Sequence, residues 1–382
     1  MVAVRTTAVA LCAFAALACS ASSGQARRVG ATRIVNGWVA YSAWDDTEID
    51  GRAVLVRSAP DGRYRRTILA PPNGQLGVFE DARWSPDGSK IAVTFTVGSR
   101  YTGYSLDVYV VNADGTGRRR LVRGTGADRW SPAWSPDGTK LAYVQSPAEI
   151  HVIDADGSGD LRLTSGLDPA WSPDGKSIAF ARSVSGNDTD LYRIGVDGSV
   201  PTQLTSGPQW DRGPDWSPDG SEIVFQRGRE SVDSIYVMGA DGSKLRRLGC
   251  GLCYHAAWSP DGSKIAYDHR GDIWVRTARG GSPQNITRTR SMTKDEQDPA
   301  WQPVREVNGR LAGTRFADYL AGGAESNVIA GGAGHDILRG GPGQDRIFAQ
   351  DGARDVVSGG PGRDTAYVDR LDVVLGVERV RR

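Results

Sequence analysis

Short apolar runs with the alternation of half-buried strands recur along this chain, and five of them follow one pentapeptide. WSPDG begins at Trp84, Trp134, Trp171, Trp216 and Trp258, and the runs after it are IAVTF, LAYVQ, IAFAR, IVFQR and IAYDH. In S-P-D-G the proline presets φ, Ser and Asp bond locally and Gly accepts positive φ, so the pentapeptide joins two strands through a type I turn. A second series of turns lies between the first: NADG ending at Gly115, DADG at Gly157, GVDG at Gly198, GADG at Gly242, and a weaker ARGG at Gly280 and Gly281. Alternating runs such as DVYVV (107–111), EIHVI (149–153) and SIYVM (234–238) precede these turns, and short runs ending in Leu follow several of them. Two hairpin turns per repeat give four strands per repeat, the content of a propeller blade.

A count of the repeats predicts how the ring closes. Five full repeats are followed by an orphan Trp301 in DPAWQP, while the region before Trp84 supplies three strands without a partner: GWVAYSA (37–43), RAVLVRS (52–58) and RYRRTIL (63–69). The three N-terminal strands and the one C-terminal strand complete a sixth blade, and a closed ring exposes no sheet edge. The expected fold is therefore all-β, a six-bladed propeller over 34–303, followed by a small parallel β-roll over 309–368 and a tail over 369–382.

The pentapeptide followed by Lys or Ser and I-A-[YF], with a later DADG and L-T, resembles the repeat of TolB-type propellers. The propellers of prolyl oligopeptidase and dipeptidyl peptidase relatives share it. The resemblance implies a fold more firmly than a function. TolB proteins carry an α/β domain ahead of the propeller, and only about ten residues lie between the leader and the first strand here. The peptidase relatives carry a G-x-S-x-G nucleophile elbow, and this sequence has none.

After Gln302-Pro303 the period changes to nine: GTRFADYLA, GGAESNVIA, GGAGHDILR, GGPGQDRIF, AQDGARDVVS with one extra residue, and GGPGRDTAY. These units resemble the hemolysin-type (RTX) calcium-binding nonapeptide, whose physical reading is a parallel roll with two nonapeptides per coil. The resemblance implies calcium held by Asp336 with Asp355 and by Asp345 with Asp364. The glycines Gly332, Gly334, Gly341, Gly343, Gly360 and Gly362 shape the turns around the ion, and Leu320, Ile329, Leu338 and Ile347 point into a thin core. Calcium takes six to eight oxygen ligands, which carboxylates and backbone carbonyls supply.

Forty-six basic and forty-five acidic residues leave a net charge of +1. No global field then points to nucleic acid or an anionic membrane. Residues 1–26 read as an export leader: Arg5, an apolar stretch over 8–18 too short to span a bilayer, then small residues. Ala16-Leu17-Ala18 before Cys19 reads either as a cleavage site or as a lipobox that makes Cys19 a lipid anchor, the one membrane link the sequence offers. In an exported β protein, Cys250 and Cys253 are expected to form a local disulfide.

Three residues before each Trp stand Asp81, Ser131, Asp168, Gly213, His255 and Asp298. In a closed ring these positions converge on one mouth of the central channel, where Asp81, Asp168, His255 and Asp298 form a candidate ligand site. The plainer reading is that each Asp closes a local Asx turn at the start of the innermost strand. Polar loops at 44–50, 98–104, 185–190 and 228–233 flank the same face. Three functions fit: an exported binding or scaffold protein with an envelope or extracellular protein partner or a small ligand, an extracellular hydrolase or lyase using the channel carboxylates, or a structural cell-envelope protein.

Overall fold

The S-P-D-G turns form as the residue types dictate. Ser85 Oγ donates to Asp87 Oδ1 at 2.5 Å and accepts from the Lys90 amide at 2.9 Å, while Asp87 Oδ1 accepts from the Ser89 amide. The five turn glycines have φ of 70° to 72°. In the second turn, hydrogen bonds from Ser135 and Thr139 hold the Asp137 carboxyl below its ordinary range.

The structure is a computed structural model that describes residues 32–45, 52–72, 77–99, 103–122, 126–185, 188–229, 232–249, 251–288 and 296–382. The leader, Cys19, Cys250 and parts of the polar loops lie outside these. The described residues are all strand and turn, without a helix.

Ahead of the C-terminal region the described strands pair into six antiparallel sets of four. Five are consecutive in sequence, with first strands Gly77–Trp84, Arg129–Trp134, Leu167–Trp171, Trp210–Trp216 and Cys253–Trp258. The remaining set draws on both ends of the chain: Glu296–Val307 lies against Thr32–Asp45, which pairs with Arg52–Ser58, which pairs with Arg66–Leu69. Trp301 stands opposite Val39. The pairing expected between the orphan Trp segment and GWVAYSA is thus present.

Neighbouring sets share buried cores. Val39, Tyr41 and Trp301 pack with Ile273 and Val275, joining the split set to the one begun by Cys253. Trp38 and Leu55 pack with Phe79 and Ile91 on the split set's other side. The remaining four junctions have cores of their own, around Val110 and Leu141, Ile150 and Ile178, Leu191 and Phe225, and Val224 and Ile265. Each S-P-D-G Trp sits at such a junction: the Trp134 indole donates to Arg83 O and the Trp216 indole to Ala170 O.

Every first strand bulges at the same place. The register slips between Glu80 and Arg83, Trp130 and Ala133, Leu167 and Ala170, Arg212 and Asp215, Tyr254 and Ala257, and opposite Ala40 and Ser42. At each slip one residue turns left-handed, with φ of 47° to 57°: Asp81, Ser131, Asp168, Gly213, His255 and Asp298. Such bulges re-aim side chains.

The last inner strand does not stop at Pro303, where the sequence suggested a boundary. Glu296–Val307 runs on, turns at Asn308 and Gly309, and pairs with Arg310–Ala312. From there strands stack in parallel in two sheets, pairing with strands two nonapeptides away: Val328 lies opposite Arg346 and Ile337 opposite Val356. Leu320, Ile329, Leu338 and Ile347 are fully buried between the sheets, as expected. The expected tail carries two further strands, Val373–Leu375 and Arg379–Arg381, which extend the two sheets.

One face of this stack is docked on the propeller-like sheets. Tyr319 and Ile337 join the core of Trp38, and the Trp38 and Tyr319 rings lie 5.5 Å apart. Trp38 Nε1 and Arg57 both donate to Ala317 O, at 3.1 and 2.9 Å. Arg339 pairs with Asp61 at 3.2 Å.

Candidate functional site

The inner-strand bulges bring Asp81, Asp168 and His255 to the wall of one cavity of about 430 Å³, with Arg83, Arg212 and Asp215. Asp298 stands behind the wall, ion-paired to His255 at 3.3 Å. Asp81 and Asp168 bond across the seam and not to a local turn. Asp81 Oδ2 accepts from the Ser131 amide at 3.2 Å and from Thr94 Oγ1 at 3.0 Å, and Asp168 Oδ2 accepts from the Gly213 amide at 3.2 Å. The bulge aims the Asp81 and Asp168 carboxylates across the seam to an amide of the next inner strand, and the Ser131 amide is shared with Thr94 Oγ1 at 3.1 Å.

The charges in this ring act on one another. Burial alone would lower the His255 pKa, but the carboxylates of Asp298 and of Asp268, 2.7 Å away, outweigh it and carry the imidazole up to about 10. Its side chain is 45% exposed, so the direction rests on those two carboxylates more than on burial. Burial raises Asp81, and the nearby Asp298 adds to it. Burial, Asp81 and Asp298 push Glu80 up to about 7, and burial carries Asp215 to about 6. The site therefore sets one imidazole, its pKa raised by its carboxylate neighbours, among partly buried carboxyl groups, with two arginines at the wall.

The second group lies in the roll. The amide of Asp318 donates to Asp336 Oδ1, that of Asp336 to Asp355 Oδ1 and that of Asp355 to Asp372 Oδ1, at 2.8, 2.8 and 2.9 Å. Along the opposite edge the amides of Asn327, Asp345 and Asp364 donate to Asp345 Oδ1, Asp364 Oδ1 and Glu378 Oε2, at 2.7, 2.9 and 2.7 Å. The expected pairs, Asp336 with Asp355 and Asp345 with Asp364, are therefore brought together. Asp318, Asp372 and Glu378 lengthen the two files. The site assignment read from the nonapeptides missed Asp372 and Glu378 because no glycine doublet precedes them. The one available cue was the spacing, since Asp372 follows Asp355 by nearly two nonapeptides.

The residues present fit a hard divalent cation. The second oxygens of Asp336, Asp345, Asp355 and Asp364 are buried without a hydrogen-bond partner. Burial and the neighbouring Asp318 and Asp355 raise Asp336 to about 9, and burial with Asp351 and Asp372 raises Asp355 to about 6. Buried like charges with orphaned oxygens call for a counter-charge, and an all-oxygen donor set suits calcium. The six glycines have φ of 91° to 155°. A Cβ on Gly332 would stand 2.0 Å from Thr314 O, and one on Gly362 1.5 Å from Gly343 O. Only glycine lets adjacent coils approach so closely.

Cys253 is buried and disulfide-bonded, and the expected partner Cys250 lies outside the described residues.

An all-β assembly of propeller sheets with bulged inner strands, continued by stacked parallel nonapeptide turns, is the class that fold and site define together. Residues 131–309 match the family model of the TolB beta propeller domain, and residues 312–347 match that of the RTX calcium-binding nonapeptide repeat. A protein TolB homolog of Chlorobium luteolum is 38% identical over 182 residues, which cover 46% of this chain and 40% of that protein. A Tol-Pal system protein TolB of Anaeromyxobacter dehalogenans is 38% identical over 92 residues, 22% of this chain and 20% of that one. The chain thus spans less than half the length of these curated relatives. The crystal structure of TolB from Acinetobacter baumannii superposes with a TM-score of 0.58 at 22% identity, covering 70% of this chain and 66% of that one, which shows the fold alone.

Proposed function

We propose that this chain is an exported binding protein: a closed six-bladed propeller, residues 32–307, offers its channel mouth to a small polar ligand or to a protein of the envelope or exterior. A calcium roll, residues 310–381, is built onto its closing strand. Six sets with a buried core at every junction support the closed ring. The leader read in residues 1–26 supports export. The observation that carries the binding role is the convergence of equivalent bulge residues from successive sets on one cavity lined by both signs of charge. Because Asp81 and Asp168 are already bonded to backbone amides, they suit polar recognition better than proton transfer.

In the roll, Asp336 with Asp355 and Asp345 with Asp364 hold calcium, with the turn glycines supplying close backbone. The ion contributes the positive charge that lets buried carboxylates coexist.

A thermal-shift screen of dicarboxylates, amino acids and polyamines tests the channel site. At least one class should raise the melting temperature of the wild type and leave Asp81→Asn and His255→Gln unmoved. No shift from any class, or equal shifts in the variants, contradicts the reading.

A further inference from the structure

We propose that Asp336, Asp351 and Asp355 form a divalent-cation site in which a side-chain carboxylate replaces a backbone oxygen of the nonapeptide turn, and that this site fills with calcium before the Asp345/Asp364 edge does. The proposal rests on the reading that the roll binds calcium. The nonapeptide match ends at residue 347. Beyond it the turn A-Q-D-G-A-R-D (349–355) has lost its glycine doublet.

In the intact turns, amides of one coil donate to backbone oxygens of the next: Gly341 to Gly359 O at 3.0 Å and Gly343 to Pro361 O at 2.9 Å. In the altered turn the Gly334 amide donates instead to Asp351 Oδ2 at 2.8 Å, and Asp351 Oδ1 is fixed by the Ala353 amide at 2.7 Å. The replacement recurs one coil on, where the Gly352 amide donates to Asp369 Oδ2 at 2.9 Å. Asp351 thereby stands with a ligand oxygen within 4.8 Å of those of Asp336 and Asp355.

A second observation points independently to an ion. Asp336 and Asp355 are 1% and 0% exposed, and one oxygen of each has no partner. Buried carboxylate oxygens without a hydrogen-bond donor, set beside a third carboxylate, are the atoms a bound cation would satisfy. The opposite edge offers Asp345 and Asp364, with the neutral Asn327 one coil earlier and Glu378 one coil later, but among the described residues no three of its carboxylates converge within 4.8 Å as Asp336, Asp351 and Asp355 do. Ligand charge count is a principal determinant of calcium affinity at such sites. Asp351 is itself exposed at the rim, which leaves the ion a path in.

Calorimetric titration of calcium chloride into the full chain, stripped with chelator, tests this on wild type, Asp351→Asn and Asp345→Asn. Wild type should bind in two phases. Asp351→Asn should move the tighter phase at least tenfold up in calcium and leave the weaker one in place, and Asp345→Asn should do the reverse. An Asp351→Asn titration that overlays the wild type, or in which both phases move together, overturns the proposal while leaving calcium binding standing. Wild type that takes up no calcium overturns both readings. Asparagine at 351 keeps an oxygen for the Gly334 amide, and circular dichroism of each variant verifies the fold.

Discussion

Six residues in equivalent places share a backbone conformation that most side chains resist. Asp, Ser, Asp, Gly, His and Asp at 81, 131, 168, 213, 255 and 298 all lie at positive φ, where Gly is free and Asp and His are tolerated more than most. The mixed identities that suggested a ligand ring are thus also those that the bulge permits. Ser131→Val should cost about 1–3 kcal/mol in denaturant unfolding, the cost of forcing a β-branched residue left-handed, whereas Ser131→Gly should cost far less. Equal losses would mean that the serine hydroxyl, not the bulge, matters.

His255 gives a pH prediction. Its pKa is raised in the folded state, so its stabilisation is complete below the ordinary value of 6.5 and is lost as pH rises toward about 10. Wild type should therefore lose stability between pH 7 and 10 more steeply than His255→Gln, as thermal unfolding across that range will show; parallel curves would contradict the ion-pair account. Glu80 and Asp215, also raised, should weaken the fold as pH climbs through about 7 and about 6. None of these shifts was legible in the sequence, since Asp268 and Asp298 meet His255 from different strands.

At the scale of elements, the strand Glu296–Val307 closes one architecture and begins the next. Gln302, 1% exposed, accepts from the Trp38 amide at 3.2 Å and donates to Gly88 O at 2.9 Å and Asp318 Oδ1 at 3.2 Å. One side chain thus ties the split set, the neighbouring S-P-D-G turn and the first roll carboxylate. Gln302→Ala leaves those buried groups unpaired, at about 1–3 kcal/mol for each group, and should lower the melting temperature markedly. A change within error would show that the tie is idle.

The turns, the four-strand period and the pairing of Trp301 with the N-terminal strand were legible because each rests on local residue chemistry repeated many times. The continuation past Pro303 was not, because a proline between two periodicities reads as a boundary. Here it stands opposite Asn36, next to a register slip, where a strand tolerates it. The strands after residue 368 escaped notice for the opposite reason: their turns lack the glycines that announce the repeat.

Across the whole molecule, the roll and the propeller are not separate bodies joined by a linker. Trp38, 2% exposed, packs with Tyr319 and Ile337 of the roll and with Phe79 of the adjoining sheet. Trp38→Ala should cost about 3–5 kcal/mol, the usual range for a buried aromatic, and should loosen the roll together with the closing seam. Nothing local in the sequence announces that contact, which joins residues far apart in the chain. Under the proposed calcium binding, an ion held in the roll would be linked to the stability of the seam between Thr32–Asp45 and Glu296–Val307. Hydrogen exchange of the full chain in calcium and in chelator tests this most directly. The account predicts that calcium slows exchange in the roll strands from Arg310 to Arg381 and also at the seam of Thr32–Asp45 with Glu296–Val307, while the strands around Ile178 and Phe225 stay unchanged. Identical exchange in both conditions, or protection confined to the roll with the seam unmoved, would contradict it.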